Sequence, residues 1–130
     1  MHAILIVMGV LCLSPMFGTP ATAQSNESDV AFAEAVDAVK SKNYAHAVKL
    51  FADQAEANQH DAQYNLAVLL KAGKGAPQDF LKALTWAWAA HLGGIEAAED
   101  LSDELLDLIP EKSIEAARDA VAKRLRARID

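Results

Sequence analysis

The chain has 130 residues, with 12 Lys and Arg against 18 Asp and Glu and a net charge of −6. That balance argues against nucleic acid as a partner, and the length suits one domain. Cys12 is the one cysteine, so no disulfide can form within the chain and stability must come from packing.

Residues Ala3 to Leu13 are almost uniformly apolar, and Ser14-Pro15 and Ala21-Thr22-Ala23 follow before Gln24. This is the pattern of a secretory signal peptide with an A-x-A cleavage site. The apolar run is too short to span a bilayer, which takes about 20 residues. One departure is the absence of Lys or Arg ahead of the run, where only the α-amino group and His2 could supply positive charge. Leu11 precedes Cys12 where a lipidation site would need a small residue, so Cys12 is expected to leave with the signal. The expected boundaries are therefore a signal over 1–23 and a domain over 24–130. All the Lys, Arg, Asp and Glu residues lie in the second part. The product is expected to be periplasmic or secreted, with no stable membrane insertion after processing.

The polar stretch Gln24–Asp29 reads as a flexible lead. From Val30, the spacing of Phe32, Val36 and Val39, with Ala33 and Ala35 beside them, predicts an amphipathic helix ended by Ser41-Lys42-Asn43. Tyr44, Ala47, Val48, Phe51 and Ala55 form a second stripe, which closes around Asn58-Gln59-His60. Asp61 is the expected N-cap of a third helix that buries Ala62, Leu66, Leu69 and Leu70. Gly73 is expected to stop it in the left-handed conformation. Pro77 forbids continuation, and Asp79 is placed to cap a fourth helix with Phe80, Ala83, Leu84, Ala87 and His91 on one face. Gly93-Gly94 ends that helix. A fifth runs through Ala97, Leu101, Leu105 and Leu108 to Pro110, and a sixth from Pro110-Glu111 uses Ile114, Ala117, Val121 and Leu125. No strand-like alternation occurs. The expectation is an all-α fold, a short solenoid of antiparallel helix pairs with about six helices.

A period supports this. Ala47 and Ala83, Tyr44 and Phe80, Leu50 and Trp86, Ala62 and Ala98, and Leu69 and Leu105 all stand 36 positions apart. A helix pair with its turns has that length, and pairs must stack to bury their apolar faces. The run Ala62-Gln63-Tyr64-Asn65-Leu66, then Gly73-Lys74-Gly75-Ala76-Pro77-Gln78-Asp79, Ala83, Trp86, Ala89-Ala90 and Gly93, resembles one complete Sel-one-like repeat of the tetratricopeptide-type solenoids. The resemblance is complete over Ala62 to Ala98. It is partial upstream, at Tyr44, Ala47 and Phe51. Downstream, Ile109-Pro110 stands where the pattern has glycine and marks a capping pair. Ala67 occupies a position where the family often has glycine. The resemblance implies a protein–protein adaptor role and, in bacteria, frequent export to the periplasm.

No arrangement of chemistry competes with that reading. Gly73-Lys74-Gly75 lacks the four intervening residues and the Ser or Thr of a phosphate loop. His46, His60 and His91 show no zinc-ligand spacing, and no serine sits in a nucleophile elbow. Glu99-Asp100 and Asp103-Glu104 read as a solvated helix face. No catalytic residue, cofactor or metal is expected. Trp86 matches the repeat and reads as packing, whereas Trp88 does not match it and faces either the fifth helix or a binding surface. Tyr64, Asn65, Trp88 and His91 are the candidate partner-binding residues. The fifth helix is acidic, with Glu96, Glu99, Asp100, Asp103, Glu104 and Asp107. The end of the sixth is basic, with Lys123, Arg124, Arg126 and Arg128. The two are expected to compensate each other if the helices pack antiparallel. The expected function is a non-enzymatic binding module, an accessory subunit or adaptor for a protein partner. The alternative is a cell-envelope enzyme or cell-wall-ligand-binding protein. Family members linked to that role are cysteine-rich, and this chain has no cysteine after Cys12.

Overall fold

The computed structural model describes residues 21–129, with side chains from 27 onward. It is all-α. The six helices are α1 (Ala21–Lys40), α2 (Tyr44–Glu56), α3 (His60–Ala72), α4 (Phe80–Leu92), α5 (Ala97–Leu108) and α6 (Glu111–Arg126). The apolar run over 3–13 and Cys12 lie outside the described residues. Gln24–Asp29, expected as a flexible lead, belongs to α1.

Each helix from α1 to α4 packs on its successor. Alanine makes the close approaches: Ala35, Ala47, Ala55, Ala62, Ala67, Ala83, Ala87, Ala90 and Ala98 are all fully buried. Phe51 fills the seam between α1 and α2, with its ring edge-on to Phe32 at 5.7 Å between centroids. Helix α4 lies at the centre. It buries Ala83, Leu84, Trp86, Ala87, Ala89 and Ala90, and it packs against α3, α5 and α6. A helix apolar nearly all round is one that neighbours must cover on several sides.

Four helices end with the same paired backbone hydrogen bonds. After α1, Lys42 N donates to Val39 O and Asn43 N to Ala38 O; after α2, Asn58 N donates to Ala55 O and Gln59 N to Gln54 O. Gly73 and Lys74 repeat the pattern after α3, as do Gly94 and Ile95 after α4. This is a Schellman cap, which needs a left-handed residue. The residues that supply it are Lys42, Asn58, Gly73 and Gly94, all with positive φ. Gly73 was expected in that role from the sequence. At the end of α4 the role falls to Gly94, while Gly93 has a φ of −84°.

The starts of the helices differ more from expectation. Asp79 Oδ1 accepts from Lys82 N at 2.9 Å, a side-chain N-cap as expected. Asp61 is not a cap: α3 begins at His60 behind Gln59, and Asp61 sits in the first turn, where its charge favours the helix dipole. On α5 the buried face is Ala98, Leu101, Ser102 and Leu105, with Ala97 and Leu108 outside it and Ile109 buried beyond the C-terminus. His91 is exposed, one step off the expected buried face of α4. The stripe of α4 is so broad that periodicity could not select its centre.

Helix α6 makes the largest departure. It does not run back along α5 but packs on α4. Ala117 and Val121 are its buried residues.

Candidate interaction surface

The docking of α6 on α4 is held by a stack of three side chains. Trp86 is buried between the two helices, and the Arg124 guanidinium lies 4.1 Å from its ring centroid. The same guanidinium donates to both carboxylate oxygens of Glu56 at the end of α2, at 2.9 and 3.2 Å. The planar fork suits both contacts at once, and Lys could not reproduce it. These hydrogen bonds hold the Glu56 carboxyl below its ordinary value. Slight desolvation opposes them, and the positive charges of Arg124 and Lys82 add to them. The expected compensation between α5 and α6 is therefore not what forms. Arg124 pairs with α2, and the acidic α5 is met by Lys71 of α3, which binds Glu104.

Below the stack, His60 and Gln63 tie α3 to the end of α2. Gln63 is buried, and its Nε2 donates to Ala55 O at 3.1 Å. Its Oε1 lies 3.0 Å from His60 Nδ1 and accepts from it, so His60 carries its proton on Nδ1 in this bond. The His60 ring lies where a Cβ on Gly93 would project. That close approach, not backbone conformation, demands glycine at 93.

The same docking leaves an open groove of about 340 Å³ between α4 and α6. Trp88, His91 and Leu92 line it from α4, and Arg118, Val121, Ala122 and Leu125 from α6. A small adjoining pocket of about 30 Å³ shares Leu92, Val121 and Leu125 with it and is lined further by Asn58, His60, Gln63 and Arg128. Leu92 is 60% exposed and Leu125 39% exposed, so two large apolar side chains meet solvent in one concave strip. No Asp or Glu lines either part. Arg118 and Arg128 form no ion pair among the described residues.

Of the candidate binding residues, the structure brings Trp88 and His91 together in this groove. Trp88 is half-buried and packs against the core with its indole at the groove wall. Tyr64 and Asn65 lie away from it on α3. Tyr64 packs against the core, and Asn65 donates through Nδ2 to Asp61 O in its own helix, at 2.8 Å. Sequence reasoning missed Leu92, Arg118 and Leu125. The signal for Leu92 was present: a leucine at the last position of a helix, directly before Gly93-Gly94.

No cluster of three or more His, Cys, Asp or Glu gathers with metal-binding geometry among the described residues. No helix among the described residues is long and apolar enough to cross a membrane. No family model matches the chain, and no curated protein matches it.

Proposed function

We propose that this chain is a non-enzymatic interaction module, an accessory subunit or adaptor that works by holding a protein partner in the α4–α6 groove. The observation that carries this reading is the groove itself. Leu92 and Leu125 stand exposed beside Trp88, between helices whose other apolar residues are largely covered. Contiguous exposed apolar surface of this kind marks interaction sites.

The architecture is read as a Sel-one-like helix-pair repeat, and the fold supports it in two ways. Ala47 and Ala83, Ala62 and Ala98, and Leu69 and Leu105, each 36 positions apart, are all buried. Asn58 and Gly94, at the same separation, occupy the same left-handed position of the same helix cap. The module is read as exported to the periplasm or beyond, on the strength of the apolar run over 3–13 and Ala21-Thr22-Ala23. Intact mass of the exported protein should give a chain beginning at Gln24; a product that keeps Met1 would refute the export reading.

The binding reading is tested by site-specific photo-crosslinking in the native host. A photoreactive residue at Leu92 should capture one defined protein, and the same residue at the exposed Lys49 of α2 should not. Equal capture at both positions, or none at Leu92, would refute it.

A further inference from the structure

We infer that the partner segment in the α4–α6 groove is an amphipathic helix with acidic residues flanking a short apolar stripe. This rests on the interaction reading above and names the chemistry of its ligand.

The floor supplies the first half of the argument. Trp88, Leu92, Val121, Ala122 and Leu125 form an apolar strip between two helices. A helix laid in a groove presents side chains at i, i+3, i+4 and i+7. Along α6 the lining runs from Arg118 to Leu125, which at the α-helical rise is about 10 Å, or two turns. An i to i+7 stripe covers that same length.

The rim supplies the second half. Arg118 lines the strip and Arg128 the small pocket adjoining it, neither with an ion pair among the described residues and neither lining holding a carboxylate; Glu56, which shares a further pocket with Arg128, is paired with Arg124. In a chain of net charge −6, this strip is locally cationic. A partner with Glu or Asp on each side of its stripe would meet those charges, and one with Lys or Arg there would be repelled. The charges thus select the partner, while the apolar strip supplies the binding area.

Two other occupants fit less well. A second copy of this chain offers no full stripe outside the groove itself: α1 exposes Val30, α3 Val68 and α5 Leu108, each alone as a large exposed apolar residue on its helix among the described residues, and Ile129 stands beyond the end of α6. A membrane surface is flat where the strip is concave.

The test uses the protein as purified from its host and a fluorescent amphipathic peptide of about 16 residues, long enough to form a helix on binding. The peptide carries Leu at i, i+3, i+4 and i+7 with Glu on the flanks; a counterpart replaces every Glu with Lys. Anisotropy should show the Glu peptide binding about tenfold or more tightly than the Lys peptide, a preference that shrinks in high salt. The double variant Arg118→Glu with Arg128→Glu should reverse the preference, a gain that misfolding could not produce. Equal binding of both peptides, binding of neither, or a preference untouched by the double variant would overturn the inference. So would a dimer that dissociates on Leu92→Glu, or sedimentation with phosphatidylglycerol vesicles that Leu92→Glu abolishes. Crosslinking from Leu92 to a partner segment without acidic flanks would overturn it while leaving the interaction reading intact. No crosslink at Leu92 would end both.

Discussion

Trp86 is the residue whose loss should be felt most. It is 4% exposed, and it forms the contact between α4 and α6 with Arg124 laid over its ring. Truncation to alanine removes the transfer free energy of the indole and leaves a cavity that alanine-rich neighbours cannot refill. Such changes cost about 3–5 kcal/mol. The stack adds a further share: a guanidinium over an indole contributes about 0.5–1 kcal/mol, and the Arg124 side chain, 25% exposed, sits toward the stronger end. A small domain has about 5–15 kcal/mol in total, so Trp86→Ala should fall close to unfolding. Trp86→Phe offers a milder perturbation that keeps the fold. Urea denaturation followed by far-UV circular dichroism measures both, and in a Trp88→Phe background the fluorescence of Trp86 alone reports the wild-type transition. A double-mutant cycle between Trp86→Phe and Arg124→Ala should give coupling of about 0.5 kcal/mol or more. A loss below about 1 kcal/mol for Trp86→Ala would show that α6 does not seal this side of α4, and the docking geometry would be wrong.

Four further outcomes are expected. Gly75→Ala should be the costlier of two glycine substitutions, because its new Cβ meets the Tyr44 carbonyl as well as a positive φ, whereas Gly94→Ala opens onto empty space and pays only for the φ; equal melting temperatures would refute the close approach. The depressed Glu56 pKa contributes stability above the ordinary carboxylate value near 4.5, and that stability is lost as pH falls through the lower folded value; Glu56→Gln should therefore flatten the acid limb of the melting profile, modestly because Glu56 is 63% exposed. Gln54 is buried with both side-chain amide atoms unpaired among the described residues, so Gln54→Met should stabilise by about 1 kcal/mol, and a destabilised variant in denaturant titration would reveal a hidden partner. Neutralising Lys123, Arg126 and Arg128 together should leave the melting temperature almost unchanged while Arg124→Gln lowers it, since Arg124 alone of the four has an ion-pair partner among the described residues; a matched loss in both would contradict the stack.

The helices themselves were legible because each carries apolar residues at spacings of three and four, as Ala47, Phe51 and Ala55 do on α2. Gly73 and Asp79 announced their caps by residue type. The left-handed caps at Lys42 and Asn58 were hidden, since neither is the glycine that such a position usually takes. The path of α6 was hidden for a different reason. Its amphipathic pattern says that one face is buried and does not say against what. Arg124 reads in the sequence as one of four terminal cations, and its partner Glu56 is 68 positions away. The groove inherits that blindness, because it exists only where α6 crosses α4. Trp88 and His91 could be singled out on α4 alone; Arg118 and Leu125 could not.

The turn after α3 carries a consequence for how such a chain could grow or shrink. Gly75 lies against the Tyr44 carbonyl at the start of α2, and Lys74 reaches over the Tyr44 ring at 5.1 Å. The loop of one helix pair is thus seated on the backbone of the pair before it. A duplicated or transplanted pair would carry its own cores intact but would need a residue without a side chain wherever its loop lands on a neighbour. The join between these two pairs is therefore set by the fit of this hairpin tip to the helix start beneath it.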